Sequence, residues 1–99
     1  MEGKVLVIGD EETVTACRLI GCEGIVASDP DDLLLKLESN AVREDVAVIL
    51  VARDLAEPVS DEINRVISRS KKIISFLPTS KSKGKPLNMR ELMLRALGF

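Results

Sequence analysis

The feature that most constrains the fold of this 99-residue chain is the unbroken apolar run Val46 to Ala52, inside "DVAVILVAR" at residues 45–53. Its density of Val and Ile favours a strand over a helix. Because the run is continuous rather than alternating, both faces of that strand must be covered. Three shorter runs repeat the signal: "KVLVI" at residues 4–8, "GIVA" at 24–27 and "KKIISFLP" at 71–78. Amphipathic stretches separate them, so each pair of strands is joined by a right-handed helical crossover. The expected architecture is α/β: a four-stranded, mainly parallel sheet with helices on both faces.

Helix signals stand where this arrangement needs them. Asp10 occupies an N-cap position, with Glu11 and Glu12 in the first turn, where negative charge opposes the helix dipole. Val14, Cys17 and Gly21 share a face, and Gly21 suits the C-terminal stop. In "SDPDDLLLKLES", Ser28 or Asp29 caps, Pro30 fits the first helical position, and Leu33, Leu34 and Leu37 form a buried stripe. Val59, Ile63, Val66 and Ile67 recur at helical spacing in the third crossover. Residues 1–78 therefore read as one α/β domain. "TSKSKGKP", residues 79–86, has the composition of a flexible basic connector. In residues 87–99, Asn88 caps, Glu91 completes a capping box, and Met89, Leu92, Met93, Ala96 and Leu97 make the stripe of a tethered C-terminal helix.

The charge is divided unevenly. Residues 1–63 carry 5 basic and 15 acidic side chains, whereas residues 64–99 carry 9 basic and 1 acidic. Such asymmetry fits either an acidic half lying over a basic one or a basic arm with an anionic partner. Nucleic acid is disfavoured as that partner: Phe76 and Phe99 are the only aromatic residues, so no stacking platform exists. The longest apolar run is far too short to cross a membrane, and Gly3 and Lys4 lead straight into a strand, so no signal peptide is expected. The expected location is therefore cytosolic. Cys17 and Cys22 are expected to be free thiols, and with no histidine in the chain a metal site is discounted.

Few residues suggest catalysis. Asp10, Glu11, Asp54 and Thr79 fall beyond the carboxyl ends of the strands, where open sheets of the receiver or Rossmann kind place their functional crevice. Response-regulator receivers use such acids to hold magnesium and accept phosphate, and "KGKPLNMREL" is similar to the receiver's Lys-Pro and following helix. That reading makes Asp54 the phosphoryl acceptor and Lys85 the phosphate's partner. However, only five residues separate Thr79 from Lys85, which leaves no room for a receiver's next helix and strand, and Arg53 is an odd neighbour for a metal site. The plain alternative makes each acid a helix cap or a solvated first turn. "SKSKGKP" lacks the first glycine and the Ser/Thr of a phosphate loop, "IGDEETV" has one glycine where a dinucleotide site needs three, and no histidine is present for a triad.

"IGDEETVTACRLIG" is more specific. Gly9, Asp10, Thr13, Val14, Thr15, Arg18, Leu19 and Gly21 match the N-terminal signature of the F subunit of archaeal and vacuolar-type (A/V-type) ATP synthases, which this sequence resembles. "DVAVILVARDLAE", "IISFLP" and the closing "LMLRALGF" extend the resemblance over essentially the full length. Departures are Cys17, where the family usually has Phe, Ala16, where it usually has Gly, and a shorter, more basic connector. The resemblance implies a rotor component with no active site or cofactor. Such a subunit sits on the central stalk, bound to the coiled-coil D subunit, and turns inside the ring of catalytic A and B subunits. It helps couple ATP synthesis or hydrolysis to ion transport, peripheral to the cytoplasmic side of the membrane and without inserting in it. Its C-terminal helix is expected to reach along the stalk and regulate, the alternative being that its stripe docks on the chain's own sheet. The partner-facing residues expected here are Arg90, Leu92, Met93, Arg95 and Leu97, with Arg18 on the domain either a partner contact or an internal ion-pair partner.

Overall fold

A computed structural model describes residues 3–78 of the chain. The connector and C-terminal helix expected at residues 79–86 and 87–99 lie outside the described residues. Within them the elements are β1 (Lys4–Gly9), α1 (Glu11–Leu19), β2 (Glu23–Val26), α2 (Pro30–Asn40), β3 (Val46–Ala52), α3 (Arg53–Ala56), a 3-10 turn (Glu57–Val59), α4 (Ser60–Arg69) and β4 (Ile73–Leu77). The strand order is β2-β1-β3-β4, and every neighbouring pair is parallel. This is the expected α/β sheet, with its longest apolar run paired on both edges.

Both faces are covered. On one face, Val7, Val48, Leu50 and Leu77 cluster with Cys17 of α1. On the other, Leu6, Ile8, Ile49, Val51 and Ile74 meet Leu33 and Leu37 of α2, Ala56 of α3 and Ile63 of α4. Leu6, Val7, Ile8, Ile49, Leu50 and Val51 are all fully buried, which is why β1 and β3 show no polar alternation.

The caps form as the local chemistry dictates. Asp29 Oδ1 accepts the Asp32 N–H at 2.8 Å, and Asp32 Oδ2 accepts the Ser28 N–H at 2.9 Å, so the two acids close a reciprocal cap ahead of Pro30. Leu33 and Leu37 are buried and Leu34 is half-buried, so the stripe is as expected. Helix α1 buries Thr13, Val14 and Cys17, whereas Gly21 stands exposed in the turn beyond it. There its φ of +91° explains the glycine.

The third crossover is broken into α3, a 3-10 turn and α4. Pro58 sits in the 3-10 turn, where its missing N–H breaks the α-helical ladder. Val59 and Ile63 still reach the core, because the chain returns to helix at Ser60. Strand β2 starts at Glu23 and ends at Val26, one residue earlier at each end than the apolar run suggested, and Ala27 is buried beyond its end.

Candidate functional site

The carboxyl ends of the strands hold the acids that a phosphoryl-transfer reading needs. Asp10 follows β1, but both of its oxygens are engaged: Oδ2 accepts the Thr13 N–H at 3.2 Å and Oδ1 accepts the Thr13 hydroxyl at 2.7 Å. Thr13 is itself buried, so the carboxylate is fixed as the cap of α1. Glu11 and Glu12 are exposed in the first turn of that helix, and Asp54 lies in the first turn of α3, on the exposed surface. Among the described residues, no three carboxylates or thiols gather into a group able to hold a metal ion. Thr79 and Lys85 lie outside the described residues. The geometry at this end is that of a capped helix.

Helix α1 is tied to β2 at two points. The Arg18 guanidinium donates through Nη2 to the Gly24 carbonyl at 2.9 Å. A Cβ on Gly24 would stand 2.5 Å from Val14 Cγ1, so only glycine permits this close approach of helix and strand. Facing away, Leu19 is 83% exposed, and with Glu11, Glu12, Thr15 and Ala16 it lines a shallow groove of about 510 Å³.

The thiols differ in setting. Cys17 is buried and Cys22 half-buried, and neither is in a disulfide. Burial pushes the Cys17 thiol up to about 11, with smaller contributions from Cys22 and Asp10, and burial also raises Cys22. Cys17 therefore stays a protonated, buried thiol near neutral pH.

The amino ends of the strands carry a charge cluster that local sequence pattern does not reveal. Arg43, between α2 and β3, donates Nη1 to Glu23 Oε2 at 2.7 Å and grips Asp45 through Nε and Nη2 at 2.9 and 2.7 Å. Lys4 Nζ stands 3.5 Å from the same Asp45 carboxylate, and Lys72 Nζ donates to the Arg43 carbonyl. The Arg43 guanidinium thus joins the starts of β2 and β3, and the backbone carbonyl of the same residue ties in the start of β4. The Arg43 hydrogen bonds hold Asp45 down to about 2 and keep Glu23 below its usual value, while those two carboxylates raise Arg43 further. The available signal was the lone arginine in "NAVREDVA", but its partner Glu23 is 20 residues away.

Beside this cluster, a groove of about 530 Å³ runs between the C-terminal ends of α2 and α4. It is lined by Glu38, Ala41, Val42, Val66 and the run Arg69 to Lys72.

Comparison of the sequence with known families gives a match over residues 5–93 to the ATP synthase (F/14-kDa) subunit. The chain belongs to this family of ATP synthase F subunits. Its curated relatives include the F subunit of the A-type ATP synthase of Methanocaldococcus jannaschii, 28% identical over 97 residues, covering 96% of this chain and 95% of that protein. The corresponding F subunit of Methanothermobacter thermautotrophicus is 29% identical over 102 residues, covering 99% and 95%. That of Pyrococcus abyssi is 36% identical over 63 residues, covering 59% and 61%. The first two of these proteins therefore align with nearly all of the chain.

The F-subunit signature runs from the end of β1 through α1 to the turn before β2. Asp10, Thr13 and Val14 build the cap and underside of α1, Arg18 and Gly21 fix how α1 turns into β2, and Thr15 and Leu19 face outward. Most of the signature thus holds the domain together. Arg90, Leu92, Met93, Arg95 and Leu97 lie outside the described residues. None of the described helices is long and apolar enough to cross a membrane.

Proposed function

We propose that this F-family chain is a non-catalytic rotor subunit on the central stalk of an A/V-type ATP synthase. It binds the coiled-coil D subunit, turns with it inside the ring of A and B subunits, and helps couple ATP synthesis or hydrolysis to ion transport. It stands peripheral to the membrane on the cytoplasmic side. The observation that carries this reading is the family match over residues 5–93, which takes in both the α/β domain and most of the basic C-terminal stretch. Asp10, with both oxygens committed to the cap of α1, supports the absence of a reaction centre at the end of β1.

The partner-facing stripe on this reading is Leu92, Met93 and Leu97, with Arg90 and Arg95 as flanking charges that act chiefly on rate and orientation. On this reading the regulatory element is the C-terminal helix expected from the sequence of residues 87–99, whose apolar stripe suits packing on a partner helix or on the domain's own sheet. Arg18, held in place by Gly24, is the contact charge that the domain adds. Gel filtration of the full chain mixed with recombinant D subunit tests the reading. Co-elution at micromolar concentration is expected; separate elution overturns it.

A further inference from the structure

The groove between the ends of α2 and α4 has a composition unlike the rest of the domain. Residues 3–78 hold fourteen acidic and nine basic side chains, so the domain is acidic as a whole. Three of the nine cations, Arg69, Lys71 and Lys72, line this one groove against a single acid, Glu38. Lys72 is occupied at the Arg43 carbonyl. Arg69 and Lys71 are exposed and have no ion-pair partner among the described residues. The carbonyl end of α4 draws on roughly half a positive charge, which one of these cations satisfies. The rest is surplus positive charge, gathered at one groove of an acidic domain.

Apolar surface lies beside that charge. Val42 is 80% exposed, and Ala41 and Val66, which form the groove floor with it, pack against the main core. A free small anion gains nothing from this floor and is opposed by the carbonyl ends of two helices. A helix offering an apolar side chain to Val42 and carboxylates to Arg69 and Lys71 satisfies both halves of the groove.

We infer that this groove is a docking surface for an acidic, apolar-centred face of the coiled-coil stalk partner. The inference rests on the stalk reading above and adds, to the contacts at Arg18 and in the C-terminal residues, a further one on the α2 and α4 side of the α/β domain. Val42 is the anchor, buried on association; Arg69 and Lys71 steer and orient.

The test is titration of full-length chain with recombinant D subunit, comparing wild type with Val42→Asp and with the double change Arg69→Glu, Lys71→Glu. All three positions are exposed, so the variants should melt within a few degrees of wild type, which a thermal scan checks. The expected result is at least a tenfold loss of affinity for Val42→Asp. The charge reversal should slow association and flatten the salt dependence. Wild type that binds D with affinity equal to both variants overturns the groove while leaving the stalk reading intact. Wild type that does not bind D removes the stalk reading, and the groove with it.

Discussion

The Arg18 guanidinium and the Gly24 carbonyl, 2.9 Å apart, clamp the end of α1 to the edge strand β2. Arg18→Ala removes a charge-assisted hydrogen bond at an exposed site, so a loss of about 1 kcal/mol is expected. Urea unfolding should show it as a lower midpoint at unchanged slope. Lysine lacks the planar fork that reaches the carbonyl, and Arg18→Lys should recover only part of the loss.

The same helix–strand contact makes a second, independent prediction. Gly24→Ala drives a Cβ to within 2.5 Å of Val14 Cγ1, and overpacking of this kind costs about 1–3 kcal/mol. Val14→Ala alone should destabilise by about 2 kcal/mol through the cavity it leaves. In the double variant the new methyl fills part of the space that the valine vacated. The double-mutant cycle should therefore show a combined loss smaller than the sum of the two single losses.

Arg43 sets how the domain responds to acid. Its hydrogen bonds depress Asp45 to about 2 and lower Glu23, so the folded state holds both carboxylates ionised more firmly than the unfolded chain does. Their stabilisation is fully present above the unfolded carboxylate range, near pH 4, and is lost as the pH falls from there through about 2. Arg43→Met returns both acids toward ordinary values. Its stability should accordingly be lower at pH 7 and should fall less steeply than wild type between pH 4 and 2. Lys36 beside Asp32 depresses that acid as well and survives in the variant, so some slope remains. Circular dichroism melts across this range measure the difference.

What the sequence discloses depends on how far apart the interacting groups lie. Asp10 caps Thr13 and Asp29 caps Asp32, each across three residues, and Pro30 fixes the helix start between them; such contacts are written in adjacent letters. The apolar runs fixed the strands equally well, since the burial of Leu6, Ile49 and Leu50 follows from their having no polar neighbours in the run. Arg43 and Glu23 meet across 20 residues and Lys72 and Arg43 across 29, pairings set by strand order rather than by local pattern. The groove behind Val42 escaped for the same reason, because its walls are the ends of two helices from different crossovers. Pro58 was visible, but helical spacing from Val59 to Ile67 continues past it and masks the break.

Membership of a rotary ATPase stalk can be read out in the cell. A tagged copy of this chain expressed from its own locus is recovered from washed membranes after mild solubilisation, and the co-purifying proteins are identified by mass spectrometry. The D subunit should be recovered together with A and B, with ATP hydrolysis in the same fraction. A tagged chain recovered without D, A and B, from membranes whose ATPase is intact, contradicts it.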